Sequence, residues 1–338
     1  MTVRVGINGF GRIGKGFLRA VLAQGADVEV VALNDMTSAE VNAHLFKYDS
    51  TMGTLREDVR VEGDTLVVAG RPIKVFSGRA PSELPWGELG VDVVVESTGK
   101  FTGRDAAAGH LAAGARRVVI SAPAADADAT IVMGVNDDSF DPARHQVVSN
   151  ASCTTNCFVP MVKVLDDAFG VVSGLMTTVH AYTNDQNLVD FAHRDLRRAR
   201  AAAINIVPAA TGAARATGLV LQSMGGRLDG TALRVPVASG SITDFTAVVH
   251  GSPSVAAVNE AFATAADGTL KGILVYTEAP IVSSDVVGSP ASCTFDSGLT
   301  IVQRIDDASS LVKVFGWYDN EWGYSNRLVD VVRLVGRR

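Results

Sequence analysis

Gly9, Gly11 and Gly14 fall in the string VGINGFGRIG, between an apolar run and an amphipathic one, and nothing else in the chain restricts its folding as much. Val3 to Ile7 has the character of a strand, the residues on to about Gln24 carry helical periodicity, and Gly25 ends that pattern. A second strand is expected over Glu29 to Leu33. Strand, glycine turn, helix and strand make a βαβ unit, whose strands run parallel because the helix carries the chain back to the starting edge. Asp35 closes the second strand, 21 residues after Gly14. In this setting the first glycine permits a tight turn and the second lets backbone approach a diphosphate. The third packs helix on strand, and unpaired amides at the helix start hold the anion. A carboxylate at Asp35 suits the free ribose hydroxyl of NAD and repels the extra phosphate of NADP. The bland alternative is a turn that needs glycines and binds nothing; strand, helix and acid in register weigh against it.

Strand-like runs continue at Leu66 to Val68, Val91 to Val95, Arg117 to Ile120, Thr130 to Val135 and Gln146 to Val148, with a helical stretch between Val95 and Arg117 that ends at Gly114. Alternating strands and helices predict a mostly parallel sheet covered on both faces. After about residue 150 the pattern becomes one helix, Cys153 to Phe169, followed by β-branched runs at Gly170 to Val179, Thr231 to Val237 and Ser241 to His250. Longer antiparallel strands are expected there. The segment Asn320 to Arg337 is helical in period. The fold class expected is therefore α/β, a Rossmann-type doubly wound parallel sheet plus an α+β catalytic domain with a mostly antiparallel sheet. The expected division is a cofactor domain at 1–150, a catalytic domain at 151–319 and a C-terminal helix at 320–338 that returns to the first domain.

With 338 residues, 47% of them hydrophobic, the chain is long enough for two cores and needs no disulfide staples. A net charge of −6 argues against nucleic-acid and membrane partners. No apolar run reaches the roughly 18 residues of a membrane span, and the first residues lead straight into a strand pattern rather than a signal peptide. Three cysteines, Cys153, Cys157 and Cys293, cannot all pair within one chain, and a reducing cytoplasm is expected.

Cys153 stands where a strand gives way to the apolar helical run, so the helix amides and dipole are expected to favour its thiolate. Ser152 and Thr154 beside it suit capping or ligand donation. Cys157 and Cys293 read as packed thiols; no Cys-x-x-Cys or His-x-x-x-His set suggests a metal. His180 follows a strand and precedes the polar string Tyr182-Thr-Asn-Asp-Gln186, a position suited to a site. His44, His110, His145 and His250 read as structural, and His193 stays undecided.

The strings VGINGFGRIG, HLFKYDS (44–50), VVESTG (94–99), SNASCTTNC (149–157), HAYTNDQ (180–186), DLRRARAAA (195–203) and WYDNEWGYSNR (317–327) resemble the phosphorylating glyceraldehyde-3-phosphate dehydrogenases over essentially the whole chain. The resemblance implies that the Cys153 thiolate attacks the aldehyde, with His180 as base. Hydride transfer to NAD then leaves a thioester that inorganic phosphate cleaves to 1,3-bisphosphoglycerate. It assigns Thr183, Arg198 and Arg234 to the phosphate of glyceraldehyde 3-phosphate, and Ser152, Thr154, Thr211 and Gly212 to inorganic phosphate, with Arg234 near both. Hydroxyls, amides and guanidinium forks are the donors such anions need. For NAD it implies Gly9, Gly11, Arg12 and Ile13 at the diphosphate and Asp35 at the adenine ribose. Arg79 and Ser121 fall near the adenosine portion, Asn320 at the nicotinamide carboxamide and Tyr324 in the nicotinamide pocket. A homotetramer is implied as well, with the Arg194 to Arg200 segment packing across subunits.

The chain departs from the usual family pattern at three places. Arg234-Val-Pro-Val-Ala-Ser-Gly240-Ser241 lacks a threonine, a proline and an asparagine; Ala209-Ala210 replaces two threonines; Phe191-Ala192 replaces Leu-Pro. Two rival functions stay open at this point: erythrose-4-phosphate dehydrogenase, and a catalytically silent NAD-sensing binding protein.

Overall fold

The computed structural model describes residues 2–337, and the chain divides into two compact units. The first comprises Met1–Ile131, Asp137–Ala151 and Ser325–Arg338; the second comprises Val132–Asn136 and Ser152–Tyr324.

Among the described residues, nine strands form the sheet of the first unit. They are β1 (Val3–Asn8), β2 (Val28–Asn34), β3 (Val59–Glu62), β4 (Thr65–Val68), β5 (Arg71–Phe76), β6 (Val93–Glu96), β7 (Arg117–Ile120), β8 (Ala129–Thr130) and β9 (Val147–Ser149). Their order is β3-β4-β5-β2-β1-β6-β7-β9-β8. Pairs from β5 through β2, β1, β6, β7 and β9 to β8 are parallel, and the β3-β4-β5 edge is antiparallel. β6 is buried at every position, the continuous apolar run that a strand covered on both faces requires. Strand order reverses at β1 and β6, so a crevice opens at their carboxyl ends, where Gly9 and Ser97 follow.

Two expectations for this unit need correction. The stretch from Val95 to Arg117 is two short helices, Arg104–Ala107 and Gly109–Ala112, before Gly114 at φ +95°. The expected strand Thr130 to Val135 stops after Thr130, and Val132 to Asn136 turn back through a Val132 amide bond to the Asn136 Oδ1 at 2.8 Å. An apolar run there serves a turn, which periodicity does not distinguish from a strand.

The second unit carries β10 (Val171–Ala181), β11 (Val207–Ala210), β12 (Leu228–Val235), β13 (Ser241–His250), β14 (Leu274–Thr277), β15 (Cys293–Asp296), β16 (Ile301–Arg304) and β17 (Ser309–Tyr318). Order runs β11-β12-β10-β13-β17-β15-β14, with β16 on β17. Five of these pairings are antiparallel, and β10-β12 and β14-β15 are parallel. The long helix Cys153–Phe169 buries Cys157, Phe158, Met161, Val162 and Leu165 in the core it shares with this sheet. Close approach depends on Gly316 of β17: a Cβ there would lie 2.6 Å from both the Cys293 and Met161 sulfurs. β17 itself went unread in the sequence, although Ser310, Val312, Val314, Gly316 and Tyr318 are buried in strict alternation.

Candidate functional site

The crevice of the first unit is built largely from backbone. Gly9, at φ +91°, abuts the Thr98 amide, 2.7 Å from where a Cβ would stand, and a Cβ on Gly14 would fall 2.3 Å from the Gly9 carbonyl oxygen. A Cβ on Gly11, by contrast, would meet nothing within 4 Å; it would project into open space in front of the helix Arg12–Gln24. That helix has no side-chain cap at its start, the boundary residue being Gly11, so its positive end meets the crevice without a side chain in between. Asp35 lines the same crevice, its carboxylate accepting from the amides of Phe10 and Thr37 at 2.8 Å each. Those bonds and Lys15 hold it ionised against the cost of burial. Arg79 lines the crevice too, on a loop whose Gly78 is bonded both ways by the Asn34 amide. Ser121 follows β7 and gives its amide to the Glu96 carbonyl, outside the crevice lining. The Arg12 guanidinium pairs with Asp49.

In the second unit, Ser152 caps the Cys153–Phe169 helix, its Oγ accepting the Thr155 amide at 3.0 Å. Cys153 thus opens the helix, two residues after Ala151, which holds the left-handed φ of +53°. The Cys153 Sγ lies 3.4 Å from the His180 Nε2. His180, 5% exposed near the end of β10, has two contacts at its other nitrogen: the Ala181 carbonyl at 2.7 Å and an Arg234 guanidinium nitrogen at 2.9 Å. Nδ1 can donate to the carbonyl or accept from the arginine, one at a time, and the choice sets which form of the ring faces the sulfur.

The expected lowering of the Cys153 thiol is not what this environment produces. Burial pushes it up to about 11, opposed by the Arg234 charge and by the Thr154 hydroxyl and amide; burial, with Arg234, pulls His180 down to about 4. Burial is the largest influence on both groups and favours the neutral thiol and the neutral imidazole. Proton transfer across 3.4 Å creates both charges together, each offsetting the other's desolvation.

The side chains that the resemblance assigns to the substrate's phosphate lie on one connected line. An Arg234 nitrogen bonds the Thr183 hydroxyl at 3.1 Å, Thr183 bonds Asp185, Asp185 pairs with Arg198, and Arg198 reaches the Ala210 carbonyl at 3.2 Å. Thr211 follows directly and caps the helix Ala213–Val220 through a 3.2 Å bond from the Ala213 amide, with Gly212 as its N-terminal boundary. Thr154 turns its hydroxyl inward to the Tyr318 hydroxyl, 2.8 Å away, which also meets Thr178 at 2.8 Å. Burial raises the Tyr318 phenol, which keeps it protonated beside the reactive sulfur. Asn320 and Tyr324 are both buried in this unit.

No sequence motif marks a role for Asp185, Tyr318 or Ser241. For Asp185 the signal was present, a carboxylate two residues after a phosphate-assigned threonine; Tyr318 and Ser241 lie in strands and gave none. Two departures also find their structural account. Gly240, at φ +89°, brings its backbone so close to Ser283 that a Cβ would sit 2.1 Å from that carbonyl oxygen, so no larger residue fits this loop path. The loop is tied instead by Ser239 to Asp319 at 3.0 Å and by the Val237 carbonyl to the Tyr182 amide at 3.1 Å. At Ala209-Ala210, which pair with β12 in the sheet, the backbone carbonyls accept from the Thr231 and Arg198 side chains. Nothing in the structure explains Phe191-Ala192.

Comparison with known proteins bears on this arrangement directly. Residues 3–104 match the NAD binding domain, and residues 152–320 the C-terminal domain, of glyceraldehyde 3-phosphate dehydrogenase. The chain is 61% identical to a glyceraldehyde-3-phosphate dehydrogenase of Streptomyces coelicolor, with both chains covered completely. It is 62% identical to that of Mycobacterium tuberculosis (100% of this chain, 99% of the other) and 59% identical to glyceraldehyde-3-phosphate dehydrogenase 2 of Streptomyces avermitilis, again over both full lengths. A capped helix opening on a cysteine, a histidine at its sulfur and a glycine-lined crevice with an ionised aspartate are thus the equipment of a member of the glyceraldehyde-3-phosphate dehydrogenase family, to which this chain belongs.

Proposed function

We propose that Cys153 and His180 carry the covalent chemistry of NAD-dependent, phosphorylating glyceraldehyde 3-phosphate oxidation in this chain. The observation that carries the assignment is the 3.4 Å approach of Sγ to Nε2 at the start of a capped helix.

His180 takes the thiol proton in the tautomer whose Nδ1–H donates to the Ala181 carbonyl. Arg234 contests that contact through Nδ1, and the substrate's phosphate, held by Arg234, Thr183 and Arg198, draws the guanidinium away from it. The freed thiolate adds to the aldehyde carbon to give a hemithioacetal on Cys153. His180, now protonated, and the Cys153 amide stabilise the oxyanion. Bound NAD supplies the hydride acceptor for the oxidation that leaves a thioester on Cys153. The crevice fits that cofactor: the open space beside Gly11 would admit it, the helix start at Arg12 and Ile13 would hold its diphosphate and Asp35 would accept from its adenine ribose. Inorganic phosphate, held by the Ser152 and Thr154 region with Thr211 and Gly212, attacks the thioester carbonyl and returns the thiolate with the acyl phosphate as product.

Cytoplasmic location and a homotetramer belong to the same reading. Among the described residues no helix is long and apolar enough to cross a membrane, and all three cysteines are free thiols. The segment after His180 leaves Leu188, Leu196 and Ile204 at least 80% exposed, an apolar surface that a second copy would cover. Light scattering on the purified protein tests the tetramer.

A single-turnover experiment tests the site. Protein, NAD and glyceraldehyde 3-phosphate without phosphate should give one NADH per chain and an acyl group mapped to the Cys153 peptide, released on adding phosphate. Erythrose 4-phosphate turning over faster, or an acyl group on another residue, would overturn the assignment.

A further inference from the structure

Ser241, the first residue of β13, is 1% exposed and joins two groups. Its Oγ accepts the Ala181 backbone amide at 3.1 Å, next to His180, and lies 2.9 Å from the Asn320 Oδ1. The single hydroxyl proton is therefore available to Asn320. Turning the Asn320 amide over would point a second donor at Ser241 and leave a buried serine proton without an acceptor. The orientation is thus set: Oδ1 is occupied by Ser241. Asn320 is itself only 4% exposed, and among the described residues its Nδ2 makes no hydrogen bond. A buried amide with its acceptor engaged and its donor unused is prepared for a ligand carbonyl.

We propose that Ser241 is a positioning residue for the cofactor. It locks the Asn320 amide so that Nδ2 donates to the carbonyl of the nicotinamide carboxamide, and it ties that amide to the strand end bearing His180. The inference rests on the reading of Asn320 as the carboxamide partner. It adds the direction of the bond and the residue that enforces it. Asp319, one residue earlier, is held independently by Ser239 at 3.0 Å and by the amides of Gly288, Glu321 and Trp322, so the neighbouring backbone stays in place without Ser241.

Calorimetric titration of the cofactor-free protein separates the possibilities. NAD is compared with adenosine diphosphate ribose, the same dinucleotide without its nicotinamide ring, on the parent, Ser241→Ala, Asn320→Ala and Ser239→Ala. Loss of one buried hydrogen bond predicts roughly tenfold weaker NAD binding in Ser241→Ala and in Asn320→Ala. Adenosine diphosphate ribose should bind unchanged in every variant, and Ser239→Ala should match the parent with both ligands. If Asn320→Ala weakens NAD and Ser241→Ala does not, Ser241 has no positioning role. If neither variant affects NAD, the reading of Asn320 fails and the proposal falls with it. Equal losses with both ligands, or an equal loss in Ser239→Ala, would show a general disturbance and also overturn it.

Discussion

The crevice of the first unit and the cysteine site of the second bind charged groups by different means. Around Gly9, Gly11 and Gly14 the donors are backbone amides, and the glycines matter for the Cβ atoms they lack. One acidic side chain, Asp35, lines the crevice, and it is itself fixed by two backbone amides. Around Cys153 the working groups are side chains from distant segments, linked in a line through Arg234, Thr183, Asp185 and Arg198. A backbone site is insensitive to most substitutions and fails when a side chain is added where none fits. A side-chain network fails when one member is removed, because its neighbours are left buried and unpaired.

That contrast can be tested at its strongest point first. Cys153→Ser should lower oxidation of glyceraldehyde 3-phosphate by on the order of 10⁴-fold, because the hydroxyl is a far poorer nucleophile. NAD affinity measured on the same preparation should not change. A variant that lost both together would show that the two sites are not separable as described.

His180→Gln should reduce kcat/KM by roughly 10²- to 10⁴-fold, the usual contribution of a positioned base. The thiol, already pushed up to about 11 by burial, loses its proton acceptor, so alkylation of Cys153 by iodoacetamide at neutral pH should slow as well. Unchanged alkylation would mean that the helix terminus alone activates the sulfur.

The same histidine makes stability depend on pH in a definite direction. Its folded pKa is depressed to about 4, so below about pH 6.5 the unfolded chain binds a proton that the folded chain refuses. Its contribution is complete above about pH 6.5 and is lost as pH falls toward 4, on the order of a few kcal/mol at the acid end. Thermal melts of the parent and His180→Gln should therefore shift against each other as pH falls, with the parent losing more. Parallel curves would contradict the buried neutral ring.

The smallest effects distinguish two glycines of the turn, Gly11 and Gly14. Gly11→Ala adds a methyl to open space, so the melting temperature should hold while NAD binds roughly tenfold more weakly, the cost of one displaced hydrogen bond. Gly14→Ala drives a Cβ against the Gly9 carbonyl and should destabilise the fold itself by about 1–3 kcal/mol. The reverse pattern would reassign the roles of these glycines.

The first unit could be read early because its elements are local. A strand, a glycine turn, a helix and an acid at the next strand end lie within residues 3–35, and each has a period or a residue type of its own. The edge strand β3, the strand β5 and the helix Ala39–Lys47 escaped because they are short and partly exposed, with no continuous apolar run. In the second unit Cys153 and His180 stood out through their neighbours in sequence. Tyr318 and Ser241 did not, since a buried tyrosine or serine in an alternating strand looks the same whether it faces the core or a reactive sulfur.

Residue order along the chain thus settled the βαβ unit, the thiol at a helix start and the family, all of which depend on near neighbours or on many matched strings. Folding decided the rest: that the Cys153 environment opposes ionisation, that Arg234 and Ala181 compete for one nitrogen of His180, and that Ser241 fixes an amide 79 positions away. Desolvation, tautomer and amide direction depend on what surrounds a group in three dimensions, and those surroundings come from segments that have no fixed spacing in sequence.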